Sequence, residues 1–109
     1  MNEFYRSKRL LKKADYDAVF SKANKWVTSE FIFLYRNNDI GHARLGLAIS
    51  KKTVAKAHER NRVKRLLRET FRITTLPAVD VVVLAKRGIE NVKNPTLIVN
   101  LNKGWSKLG

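Results

Sequence analysis

The sequence AHERNRVKRLLRETFR, residues 57–72, decides how this chain folds. Its apolar positions recur at i, i+3, i+4, i+7 and i+8, which is the period of an α-helix with one buried face. These positions are Val63, Leu66, Leu67, Thr70 and Phe71. Leu76-Pro77 follows and ends the pattern. The segment therefore predicts an amphipathic helix that packs its apolar stripe on the protein core.

The opposite side of this helix carries a concentration of positive charge. Residues 51–72 hold nine Lys and Arg against two Glu, which is half of the formal net charge of +14. Ordinary solvent-exposed helix faces carry both positive and negative side chains, because Glu–Lys pairs stabilise a helix and like charges repel. Arginine outnumbers lysine within the helix, and its planar guanidinium suits phosphate. We therefore interpret this side as a polyanion-binding surface. The arc opposite the apolar stripe carries Asn61, Lys64, Arg65, Arg68 and Arg72, with Arg62 at its flank and Arg60 near the start of the helix.

Segments on either side of the helix have strand patterns. Residues 30–36 alternate in part, and residues 44–50 alternate strictly between apolar and small or polar side chains. Residues 79–85, VDVVVLA, form a continuous β-branched run that is typical of a strand covered on much of both faces. One side of residues 44–50 carries only Arg, Gly, Ala and Ser. That face of the sheet is therefore predicted to be shallow and wet.

Two further helices are predicted near the ends of the chain. Tyr16, Val19, Phe20 and Ala23 share one helical stripe, and Asn94-Pro95 resembles the start of a last helix. Residues 1–13 are basic without a clear period and are interpreted as an extended arm. The resulting order, α-β-β-α-β-α, predicts an α/β (α+β) sandwich with helices on one face of a small sheet.

Length and composition limit the classes of function. The 109 residues suit one domain, 1–109, and the hydrophobic share of 44% is that of a globular chain. No apolar run is long enough for a membrane span or a signal peptide, and there is no cysteine. We therefore expect a cytoplasmic polyanion binder. An anionic membrane surface is the alternative, and it is disfavoured because half of the net charge is concentrated in and just before one helix whose apolar face packs on the core.

The residues around this helix favour RNA over DNA. Single-stranded RNA is held by aromatic platforms beside a basic track, and Tyr16 and Phe20 are the candidate platforms. Lys51 and Lys52 follow a strand and precede the helix, where they could hold phosphate or be merely solvated. We therefore expect these four side chains to join the helix in binding RNA.

A catalytic set of residues is missing from the sequence. Asp15 and Asp17 are two apart on a helix and point away from each other, so they do not suit metal-assisted phosphodiester cleavage. Neither histidine has ligand-spaced partners, and there is no glycine-rich phosphate loop. We therefore expect neither protein catalytic residues nor protein ligands to a metal.

At this point the sequence resembles a known family, the bacterial ribonuclease P protein subunit. The resemblance is carried by Arg44-Leu45-Gly46, by Ser50-Lys51-Lys52 and by the segment RNRVKRLLRE, residues 60–69. It extends to residues 9–20 and 76–86 and so covers nearly the whole chain. The combination of SKK with the RNR segment is far more specific than a generic basic helix.

The resemblance implies an accessory subunit of a ribonucleoprotein that removes the 5′ leader of precursor tRNA. Catalysis would belong to the RNA, with Mg²⁺ bound through the RNA. The RNR helix would face the catalytic RNA, and Tyr16 and Phe20 would line a cleft for the leader, with Lys51 and Lys52 nearby. The implied fold is the ribosomal-protein-S5-like sandwich with a left-handed βαβ crossover. A structural, ribosomal-type RNA-binding protein is the alternative.

Overall fold

The computed structural model describes residues 13–108, which form three helices, four strands and one short 3₁₀ turn. The helices are α1 (Lys13–Lys22), α2 (Ala57–Arg72) and α3 (Asn94–Leu108). The strands are β1 (Asn24–Val27), β2 (Phe31–Asn37), β3 (Arg44–Ala48) and β4 (Val79–Ala85), and the 3₁₀ turn is Ile89–Asn91.

The strands form one mixed sheet in the order β1-β2-β4-β3. β2 pairs antiparallel with both β1 and β4, whereas β3 pairs parallel with β4. Because β3 and β4 are parallel neighbours, α2 is the crossover helix of a βαβ unit. The predicted α+β class is confirmed, and the left-handed sense of the crossover stays a prediction.

The main core lies between one face of the sheet and the helices α2 and α3. All five residues of the predicted α2 stripe are buried there. Thr70, the polar member, donates its hydroxyl to the Leu66 carbonyl (2.8 Å) and accepts a hydrogen bond from Trp105 Nε1 (2.8 Å). This satisfies the buried hydroxyl and links α2 to α3.

Gly104 allows α3 to approach the sheet closely. A Cβ at this position would lie 2.3 Å from the Phe33 ring, far inside van der Waals contact. Phe33 in turn packs edge-on against Trp105, with ring centroids 5.2 Å apart. The glycine that weakens the sequence pattern of α3 is therefore required by packing.

The opposite face of the sheet is covered by α1, so the prediction of helices on one face is wrong. Val19 of α1 and Val82 of β4 are fully buried against each other, with Tyr16, Leu34 and Leu84 packed around them. The physical reason lies in β4, whose side chains are mostly apolar on both faces of the sheet. A strand of that kind needs a cover on both faces.

The sequence pattern also missed strand β1 and misplaced two boundaries. β1 is a four-residue edge strand with mostly exposed side chains, so its amphipathic signal is weak. It forms because Thr28 closes a hairpin, accepting a hydrogen bond from the Phe31 N–H at 3.0 Å. β3 ends at Ala48 rather than at residue 50, and Lys13 belongs to α1 rather than to the basic arm. The rest of that arm lies outside the described residues.

Candidate nucleic-acid interface

The side of α2 that faces away from the core presents four of the predicted site residues. We call this the outward face, and it consists of Asn61, Lys64, Arg65 and Arg68. Among residues 13–108, Lys64 and Arg68 have no carboxylate partner, and Arg65 lies 4.0 Å from Glu69. The side chains of Arg65 and Glu69 are 58% and 57% exposed, so this pair is weak. The outward face therefore retains almost all of its positive charge.

Arg60 covers the first turn of α2. No side chain caps this helix at Lys56. The Arg60 guanidinium instead donates to the carbonyls of Val54 (3.0 Å) and Ala55 (2.7 Å) in the preceding loop. These neutral acceptors orient the guanidinium without cancelling its charge. Arg60 thus adds an oriented cation to the end of the outward face.

Arg62 is turned into the protein rather than toward solvent. Its guanidinium donates to Glu59 Oε2 (2.9 Å), to Asn94 Oδ1 (2.6 Å) and to the carbonyls of Val92 and Ile89. The side chain is only 18% exposed. The structure therefore does not place Arg62 with the other predicted cations. It ties α2 to the loop before α3, and its contact with RNA stays a prediction.

Lys51 and Lys52 are exposed in the loop between β3 and α2. This loop is a closed turn, since the Val54 N–H donates to the Ser50 carbonyl at 2.9 Å. A depression of about 360 Å³ lies next to it, lined by the ends of β3 and β4, by Ser50 and Thr53, and by Lys64 of α2. Ser50 and Thr53 of the loop and Lys64 of the outward face therefore border one concave surface.

Tyr16 and Phe20 lie on α1, on the other face of the sheet from α2. Phe20 is 49% exposed although it is a large apolar side chain, and Tyr16 is partly buried. Ala48 and Leu84 of the sheet are partly buried in the same cluster as Tyr16. Ala48 of the predicted shallow face of β3 thus belongs to the cluster through which α1, the helix that carries Phe20, packs on the sheet. Phe31 and Phe33, two aromatic side chains of β2, are fully buried in the main core and are not available as platforms.

The sequence analysis missed a polar cluster beneath α1. Arg44 of β3 makes two hydrogen bonds to Asp80 of β4, from Nε (2.9 Å) and Nη2 (2.7 Å), and Asn38 donates a third at 2.8 Å. Burial alone would raise the pKa of Asp80, but the hydrogen bonds from Arg44 and Asn38 outweigh it and hold that pKa below its ordinary value. The hydrogen bond to Asp80, opposed by burial, raises the pKa of Arg44. The single Asp within the VDVVVLA run was the signal for this cluster.

Two classes of site have no counterpart in the described part of the chain. Between residues 13 and 108, no group of three or more His, Asp and Glu side chains could hold a metal ion. In the same region no helix combines the length and the apolar character needed to cross a membrane.

Comparison with known proteins decides the family. A sequence model of the ribonuclease P protein family matches residues 4–109. The chain belongs to the ribonuclease P protein family. The ribonuclease P protein component of Legionella pneumophila (strain Corby) is 56% identical over 108 residues, which cover 99% of this chain and 95% of the relative.

Solved structures agree with the ribonuclease P assignment. The ribonuclease P protein of Staphylococcus aureus superposes with a TM-score of 0.83 at 29% identity, covering 92% of this chain and 93% of that one. The protein from Thermotoga maritima gives 0.82 at 26% identity, covering 93% and 97%. The predicted family, the α+β class of the fold and the predicted function are thereby confirmed. The chain is a ribonuclease P protein subunit, which serves tRNA 5′ processing as the accessory component of a catalytic RNA.

Proposed function

We propose that this subunit binds the catalytic RNA through the outward face of α2 and holds the single-stranded 5′ leader of precursor tRNA beside α1. The observation that carries the first part is the charge of the outward face. Its cations project from a helix that is locked to the core by five buried side chains. A rigid row of cations with one weak carboxylate partner destabilises the protein through mutual repulsion, and a phosphate backbone relieves that repulsion.

The second part is supported by the surroundings of Phe20. An unpaired base can stack on an exposed ring, and a flat face of small residues lets a strand of RNA lie close to the backbone. Phe20 is the exposed ring, Tyr16 flanks it, and Ala48 belongs to the adjoining sheet face. Lys51 and Lys52 supply exposed charge at the end of the strand that contains Ala48.

This arrangement divides the work between protein and RNA. The cations of the protein offset the repulsion between two RNAs, so that less Mg²⁺ is needed to assemble them. The leader site adds binding energy that mature tRNA lacks, so substrate is preferred over product. Mg²⁺ is bound through the RNA and supplies the metal chemistry of hydrolysis there. The protein is a single RNA-binding domain that acts in the cytoplasm without DNA or membrane partners.

Reconstitution at low Mg²⁺ tests the proposal. The purified protein should let the catalytic RNA cleave precursor tRNA at a Mg²⁺ concentration at which the RNA alone is inactive, and RNA-free protein should cleave nothing. Arg65→Ala should weaken binding of the catalytic RNA by roughly tenfold, since one charge-assisted contact is lost. Lys103→Ala removes an exposed charge from α3 and should change little. A protein that binds RNA but never stimulates cleavage would indicate the ribosomal-type alternative.

The leader site is tested separately. Phe20→Ala should weaken binding of precursor tRNA to the holoenzyme by about tenfold, within the range measured for base stacking, and leave mature tRNA unaffected. Val99→Ala is the matched control, because Val99 is a similarly exposed apolar side chain on α3. Equal losses for precursor and mature tRNA in the Phe20 variant would refute the leader assignment.

A further inference from the structure

α1 is attached to the sheet by polar contacts as well as by apolar packing. Val19 is the one α1 residue that is buried among those described. Two arginines of the sheet reach α1 near its buried side. Arg44 Nη2 lies 3.6 Å from Asp15 Oδ1, and Arg36 Nη1 donates to the Ala18 carbonyl at 3.1 Å. The two contacts lie one turn apart on the helix, so together they fix its position and rotation.

The arginine that reaches Asp15 is itself held rigidly. Its guanidinium makes the two hydrogen bonds to Asp80 described above, and Asn38 fixes Asp80 from the other side. Asp80 is buried in β4 at the centre of the sheet. Since both strands that carry this pair are part of the sheet, the guanidinium offers α1 a fixed point of attachment.

We propose that Arg44 and Arg36, through Asp15 and Ala18, are positioning residues that set how α1 lies over the sheet and thereby how well precursor tRNA is distinguished from mature tRNA. The inference rests on the proposed function, because it requires Phe20 on α1 to contact the leader. Phe20 lies between one and two turns after Asp15 on the same short helix, so a shift at the attachment points displaces the ring.

The first experiment measures the position of α1 directly. The chain has no cysteine, so spin labels at Lys22→Cys on α1 and Ser106→Cys on α3 give one unambiguous distance across the sheet. Asp15→Asn removes the contact with Arg44 and leaves the Arg44–Asp80 pair intact. Asp17→Asn is the matched control: it removes the same charge from the same helix, at an exposed residue with no ion-pair partner among residues 13–108. The distance distribution should broaden or shift with Asp15→Asn and stay unchanged with Asp17→Asn.

The second experiment measures substrate preference in the reconstituted holoenzyme. Asp15→Asn should lower the ratio of precursor to mature tRNA affinity by about two- to fivefold, the size expected of a partly exposed ion pair, and Asp17→Asn should leave it unchanged. In the Phe20→Ala background Asp15→Asn should have no further effect, because Asp15 acts through the ring. Arg36→Gln, which removes the donor to Ala18, should behave like Asp15→Asn.

Each other outcome identifies what has failed. An unchanged distance in both Asp15→Asn and Arg36→Gln overturns the positioning role. A changed distance with an unchanged affinity ratio overturns the link to specificity, provided that Phe20→Ala does lower the ratio. If Phe20→Ala leaves the ratio unchanged as well, the leader site of the proposed function is refuted, and the link to specificity falls with it.

Discussion

The helices α1 and α2 lie on opposite faces of the same sheet and are attached to it by different physical means. α2 contributes five buried side chains to the main core, in one unbroken stripe. α1 buries only Val19 among its described residues and is additionally held by Arg36 and Arg44. One helix is thus fixed by a large buried apolar stripe, and the other by a smaller apolar contact together with a few directed polar contacts.

This difference matches what each helix is proposed to do. Apolar burial is insensitive to salt and leaves the far side of α2 available for a row of cations. α1 instead keeps a large aromatic ring half exposed, so part of its apolar surface is not packed against the sheet. Directed polar contacts position such a helix without covering the ring. The contrast suits a rigid α2 for the proposed binding of the catalytic RNA and an accurately placed α1 for the proposed binding of the leader.

The largest effect on stability is expected on the α2 side. Leu67→Ala removes a fully buried side chain from the stripe and should lower the free energy of unfolding by about 2–5 kcal/mol, from lost burial and the cavity left behind. Urea unfolding followed by circular dichroism measures this, with Val99→Ala as the exposed control. A loss below about 1 kcal/mol would show that α2 is not fixed by apolar packing.

An intermediate effect should separate two arginines of α2 that look equivalent in the sequence. Arg62→Ala leaves Glu59 Oε2 and the Val92 carbonyl without their guanidinium donor and should cost about 1–3 kcal/mol of stability. Arg65→Ala should change stability by less than about 0.5 kcal/mol, because its side chain is exposed, yet it should weaken RNA binding. Unfolding of both variants beside their affinities for the catalytic RNA would reveal the difference. Similar stability losses in the two variants would contradict the inward role of Arg62.

The smallest effect is a pH dependence on the α1 side. The folded pKa of Asp80 is below its ordinary value, so the Arg44–Asp80 pair stabilises the protein above about pH 4. That contribution is lost as the pH falls through the folded pKa. The free energy of unfolding should therefore decrease as the pH falls below about 4, and less steeply in Asp80→Asn than in Asp17→Asn. Equal slopes of the unfolding free energy against pH in the two variants would show that Asp80 does not cause the acid dependence.

The sequence predicted the elements whose apolar side chains form a strong pattern. Burial requires apolar side chains at the helix or strand period. The patterns of α2, β3 and β4 therefore indicate which of their side chains are buried. β1 escaped detection because an edge strand with exposed side chains has no such period. The face of the sheet that α1 covers was not predicted, because its contact with the sheet involves few apolar residues. Local periodicity also does not show which single polar side chains meet in three dimensions.

The candidate site was predicted in part. Periodicity places Arg62 near the cationic arc of α2, but it cannot show that the loop at residues 89–94 returns to that side and captures the guanidinium. Tyr16 and Phe20 were selected as platforms because alternation alone could not identify the exposed face of the aromatic-rich strand at residues 30–36. The Arg44–Asp80 pair could not be predicted, because it depends on the sheet order that makes β3 and β4 neighbours.

Salt dependence of binding tests the central claim most directly, namely that the cations around α2 bind the catalytic RNA through phosphates. With about six phosphates neutralised, the logarithm of affinity should fall with the logarithm of salt concentration at a slope of roughly −4 to −5. Substituting Lys64, Arg65 and Arg68 together by Gln should make the slope shallower by about 2, while Lys103→Gln should alter it by much less. A slope near zero in the unsubstituted protein, or an unchanged slope in the triple variant, would contradict the account.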